Sequence, residues 1–148
     1  MITVEIKDDE ITSSLLKLGA ALTDMSPVMA SIGEALVASA KKRFPEGVSP
    51  DGAKWAPKSK ATRSPDPRPL FGPSKMLSSQ IFAISSAESV EVGSNRVYAA
   101  MMQFGGTKEA YPHLWGNIPA RPFLGISDED RTEVLATIAD YLTAAAAP

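Results

Sequence analysis

Apolar and polar positions follow two different periods along this chain. Ile2, Val4 and Ile6 alternate with Thr3, Glu5 and Lys7, the period of two expected of a strand with one buried face. Asp8, Asp9 and Glu10 then place negative charge where a helix begins. Ile11, Leu15, Leu18 and Leu22 recur at spacings of three and four and form one apolar stripe. Ser26-Pro27 restarts the pattern as N-cap and first helical residue, and Met29, Ile32, Leu36, Ala40 and Phe44 continue it. The pattern predicts either two helices or one bent helix, stopped at Pro45-Glu46-Gly47.

From Ser49 to Pro73 the periodicity fades and prolines accumulate, and a loop of this length within a domain is usually functional or disordered. Residues 57–73 are therefore expected to be mobile. Pro50-Asp51-Gly52 is a turn signal, and Trp55 is a large apolar anchor that should pack back on the domain. After a helical turn near Ser74 to Ser79, Phe82 and Ile84 alternate with Ala83 and Ser85, and Val90 and Val92 alternate with Ser89 and Glu91. Separated by Ser86-Ala87-Glu88, the two runs read as a hairpin. Val97, Met101 and Phe104 then fit a short helix capped by Ser94 or Asn95 and ended by Gly105-Gly106. Pro119 and Pro122 bias the backbone around Ala120-Arg121 toward extended conformation, leaving Phe123 and Leu124 to pack. A last helix opens with Ser127 and Asp130 in capping-box spacing and shows Leu135, Ile138, Leu142 and Ala145 along one side.

Composition narrows the function classes. At 148 residues with 44% hydrophobic content, one domain spanning 1–148 can bury a core without a metal or disulfide staple. Cysteine is absent, which removes disulfides, thiol nucleophiles and thiolate metal sites. His113 is the single histidine and has no nucleophile motif around it, so no catalytic, metal or cofactor-binding residue is assigned and no enzyme activity is expected. The amino terminus lacks the basic start and apolar run of a secretory signal, and no apolar stretch is long enough to span a bilayer; a soluble protein with no membrane partner is expected. The formal net charge is −2, yet Lys41 to Arg68 holds eight basic and three acidic residues, a local balance of +5. Lys54, Lys58, Lys60, Arg63 and Arg68 are thus candidates for DNA or partner contact, and a solvated basic loop is the favoured reading.

The order VEVGSN, VYAA, QFGG and IPARPFLGIS, preceded by RFPEGVSPDGAKWAPKS, resembles the virion morphogenesis family of tailed bacteriophages. The similarity runs from about Ala40 to the last helix. It implies a structural protein with no chemistry of its own, acting in tail completion or head-tail joining through contacts with neck, connector or tail components. A homo-oligomeric ring fits that context. So does a location in the virion or in the host cytoplasm during assembly. The implied fold is α+β, a small antiparallel sheet packed against a long N-terminal helix or helix pair and a C-terminal helix. Trp55, Tyr98, Gln103, Phe104, Gly105, Gly106, Arg121, Pro122 and Phe123 carry the motifs and are the interface candidates. Two departures stand out: Met102 occupies a position where the family usually has His, and Leu70 to Leu77 reads LFGPSKML where a Thr-Gly is usual.

Overall fold

Two helices open the computed structural model, which describes residues 9–59, 66–71, 76–114 and 116–147; the expected strand at Ile2 to Lys7 lies outside them. Helix α1 (Asp9–Thr23) and helix α2 (Ser26–Glu46) are separate, broken at Asp24-Met25. The cap sits one residue earlier than the Ser-Pro signal suggests. Met25 is the N-cap, and the Asp24 carboxylate accepts from the Ser26 backbone N–H at 3.0 Å. Pro27 falls inside the first turn, where a missing N–H costs nothing. Gly47 closes α2 in the left-handed conformation, φ 66°.

Helix α2 is the spine. Val28, Ile32, Ala40 and Phe44 are buried along it. A short helix α3 (Met76–Ser79) leads into strand β1 (Ile81–Ser85), which pairs antiparallel with β2 (Val90–Ser94). The register sets Ile81 opposite Ser94, Ala83 opposite Val92 and Ser85 opposite Val90. This face lies on α2, where Gly33 leaves the gap: a Cβ there would stand 2.9 Å from the Ala83 Cβ and 3.0 Å from the Val90 Cγ2. Phe82 and Ile84 consequently turn to the opposite face and are exposed. Alternation defines two faces of a strand, and on the face toward α2 Ile81 is buried while Ala83, although close to Gly33, stays exposed. The hairpin tip is tied to the helix break by the Met25 N–H donating to the Ala87 carbonyl at 3.1 Å.

Helix α4 (Ala99–Phe104) follows the sheet, and α5 (Asp128–Ala146) closes the fold. The cap of α4 is Tyr98, without a side-chain bond; Ser94 instead receives the Arg96 N–H in the preceding turn. Its buried residue is Ala99, with Met102 packed against the core, while Val97 and Phe104 at the ends of the expected stripe are exposed. Six residues are under two turns, too few for one stripe to govern which side is covered. Helix α5 shows the expected capping box, the Ser127 hydroxyl accepting from the Asp130 N–H and the Asp130 carboxylate from the Ser127 N–H. Its covered side runs through Val134, Ile138, Tyr141 and Ala145, and Leu135 faces solvent.

Helix α1 packs chiefly on α5, held by Tyr141 Oη donating to the Asp24 carbonyl at 2.9 Å and Lys17 Nζ to the Ala147 carbonyl at 3.3 Å. Leu18 is half-buried, and Ile11, Leu15 and Leu22 are exposed. The architecture is α+β: a two-stranded antiparallel sheet on α2, with the C-terminal helix α5 against both α2 and α1.

Candidate functional site

The motif residues converge on the C-terminal end of α2. Phe44, fully buried, meets Trp55 edge-on at a centroid distance of 5.7 Å, Phe71 at 6.0 Å and Phe123 at 5.4 Å. Each ring is delivered by a separate local device. Trp55 is brought in by the turn at Ser49 to Ala53 and an antiparallel bridge between Val48 and Lys54, with its N–H on the Gly47 carbonyl at 2.8 Å. Phe71 follows Leu70, a non-glycine residue at φ 58° whose turn drives the ring inward. The Lys58 ammonium donates to the Asp66 and Phe71 carbonyls, and Arg68 pairs with Asp66 while its guanidinium lies 3.9 Å from the Phe71 ring centroid. The Asp66 carboxyl is held well below the usual carboxylate range, first by its hydrogen bonds from Arg68.

Around the rings, polar side chains clamp the extended segment Ala120–Gly125. The Gln103 Oε1 accepts the N–H groups of both Phe123 and Leu124 at 3.0 Å, and its Nε2 donates to the Leu124 carbonyl at 3.0 Å. A glutamine so placed does the work of a neighbouring strand for a segment whose flanking prolines cannot join one. Trp55 Nε1 donates to the Pro122 carbonyl at 2.8 Å. Arg121 reaches back with Nε on the Ala56 carbonyl and an Nη on the Pro57 carbonyl, both 2.8 Å, and burial pulls its guanidinium below its ordinary pKa. Arg121, an interface candidate by sequence, thus secures the loop after Trp55.

Arg43 completes the frame and was not singled out by sequence reasoning. It donates to the Phe123 carbonyl at 2.9 Å, the Gly125 carbonyl at 3.2 Å and the Asp130 carboxylate at 2.6 Å, and is 5% exposed. Asp130 therefore serves twice, capping α5 and pairing with α2. The available signal is positional: Arg43 sits between Ala40 and Phe44 on the covered side of a helix, where a charge demands a buried partner.

Gly105 and Gly106 join α4 to this segment. Gly105 has φ 70° and ψ −179°, a region essentially confined to glycine, and a Cβ there would stand 2.6 Å from the Ala120 nitrogen and 2.7 Å from the Ile118 oxygen. Gly106 makes a two-bond bridge with Ile118, at 2.9 and 2.7 Å. Gly105→Ala is expected to cost about 2–3 kcal/mol from strain and backbone collision together, read as a fall in the urea midpoint at unchanged m-value. A variant within a few tenths of wild type would show that the close approach relaxes freely.

The structure thus brings together Trp55, Gln103, Gly105, Gly106, Arg121, Pro122 and Phe123, and turns Tyr98 and Phe104 outward, at 39% and 77% exposure. Tyr111, whose ring lies beside Gly106, is also exposed. Met102 packs on the core, and its carbonyl accepts the Arg121 N–H at 2.8 Å. Of the basic candidates, Lys58 and Arg68 brace the loop from within, Lys54 is exposed, and Lys60 and Arg63 lie outside the described residues. His113 stacks edge-on with Tyr111 at 6.3 Å. Among the described residues no group of three His, Cys, Asp or Glu is placed to hold a metal, and no helix is long and apolar enough to cross a membrane. What this arrangement accomplishes is positional. Its guanidinium, amide and indole groups are aimed at main-chain carbonyls and amides.

The motif residues of this α+β fold brace its own backbone. The family model for the phage virion morphogenesis family matches residues 6–143, and the chain belongs to that family, with a role in phage morphogenesis. The chain is similar to the Mu-like prophage FluMu G protein 2 of Haemophilus influenzae, with 32% identity over 142 residues that cover 95% of this chain and 96% of that protein. No solved structure matches significantly.

Proposed function

We propose that the chain acts in tail completion or head-tail joining by presenting a rigid face to neck, connector or tail proteins, without catalysing a reaction. The observation that carries this reading is the division of labour within the motifs. Gln103, Arg121, Trp55 and both glycines hold the backbone, and the same segments leave Val97, Tyr98, Phe104 and Tyr111 exposed. Aromatic residues held on a braced frame contribute contact area at low entropic cost, which suits a docking surface. Family membership and the likeness to a Mu-like G protein support the same role.

The test is a phage or inducible prophage carrying Tyr98→Ala with Phe104→Ala. Infectious yield should fall at least about tenfold, the scale expected when two contact aromatics are lost from an interface. Unattached heads and tails, or aberrant tails, should accumulate, while the purified variant keeps the wild-type melting temperature. Normal yield from this variant, or from a phage lacking the protein, would refute the proposal.

A further inference from the structure

We infer that a second copy of this chain docks antiparallel on the outer face of α2, through a self-complementary patch centred between Val37 and Ala38. Beside β1, a groove of about 480 Å³ is lined by Glu34, Val37, Ala38, Lys41, Phe82 and Ser85. Glu34, Ala38, Lys41 and Phe82 are exposed and Val37 is half-covered. Neither Glu34 nor Lys41 makes an ion pair among the described residues; the ion pair in this stretch of α2 is Lys42 with Glu46.

The order of these residues chooses the partner. Glu34 and Lys41 stand seven residues apart on one face of α2, two helical turns or about 10 Å. The apolar pair Val37-Ala38 lies at their midpoint. A two-fold axis through that midpoint superposes each Glu34 on the Lys41 of the other copy, so the contact gains two opposite-charge pairs around an apolar centre. Parallel docking would set Glu34 against Glu34 and Lys41 against Lys41. A patch that complements itself only under a two-fold rotation is the requirement of an isologous dimer. Ala38 lets the helices approach closely, and Phe82 of each copy covers the side of the seam.

This dimer concerns the free protein and stands independently of the proposed role in the virion. Sedimentation equilibrium of the purified full chain should show a monomer–dimer equilibrium. Glu34→Lys and Lys41→Glu alone should each weaken it by about tenfold or more, since each turns both cross-axis pairs into like charges. The double variant E34K/K41E restores opposite charges on both sides and should recover dimerisation to near the wild-type level. Phe82→Asp should abolish it. These positions are exposed, so circular dichroism and melting temperature should stay unchanged. A wild-type chain that remains monomeric, one that forms a larger closed ring without a dimer, or a double variant no better than the singles would each overturn the proposal.

Discussion

Phe44→Ala should destabilise the domain by about 4–5 kcal/mol, the upper part of the range for aromatic truncation in a core. Phe44 is fully buried and touches Trp55, Phe71 and Phe123, three rings that arrive from three chain segments. Each neighbour is anchored by its own backbone bonds, so the surroundings cannot collapse into the space, and the cavity cost adds to the lost transfer energy. A loss of this size approaches the whole stability of many domains. Equilibrium urea unfolding followed by tryptophan fluorescence measures it directly, because Trp55 reports on the same cluster. Phe44→Leu, which refills most of the volume, should recover more than half of the loss. A Phe44→Ala chain within about 1 kcal/mol of wild type would show that the four rings do not form the principal core.

Arg43→Ala should cost about 3–5 kcal/mol, nearly as much and for a different reason. The substitution leaves the Asp130 carboxylate buried without its countercharge, and frees the Phe123 and Gly125 carbonyls that Arg43 had satisfied. The pair also makes stability depend on acid. Burial acts to raise the Asp130 pKa, but hydrogen bonds from Ser39 and Ser127 together with the Arg43 charge outweigh it and hold the carboxyl below its usual 3.8. A carboxyl depressed in the folded state contributes stability that is fully present above about pH 4. That contribution is lost as pH falls through the folded-state value. Unfolding free energy measured between pH 7 and pH 2 should therefore drop at the acid end, and Asp130→Asn should remove that part of the slope. An Asp130→Asn chain with an unaltered acid profile would assign the dependence to other carboxylates, such as Asp66.

The α5 capping box was fully legible because Ser127 and Asp130 satisfy one another within four residues. The hairpin was legible too, since its two runs and their turn are adjacent in sequence. The helix pair left one ambiguity, a break or a bend, and contacts from elsewhere resolved it: Met25 bonds to Ala87 at the hairpin tip, which fixes the break in place. Stripes were less reliable than elements. On α1 the apolar residues Ile11, Leu15 and Leu22 stayed exposed, around α4 Val97 and Phe104 did, and on β1 the large Phe82 and Ile84 stayed exposed while Ile81 was buried. Periodicity identifies which residues share a face. The neighbour that arrives decides which face is covered.

The motifs followed the same division. Their order along the chain was enough to indicate the phage virion morphogenesis family, and Trp55 and Phe123 were evident as packing residues from size and position. That Gln103 substitutes for a strand partner, that Arg121 grips the Ala56 and Pro57 carbonyls, and that Arg43 joins α2 to α5 could not be read from spacing. Sequence by itself determined the helices and the hairpin among the described residues, the α5 capping box, the α+β class and the family, because these depend on contacts near in the chain or on the order of motifs. Only the tertiary structure decided the covered faces and the polar frame around Phe44. Hydrogen bonds between groups 20 to 87 residues apart depend on where distant backbone lies, and no local pattern encodes that position.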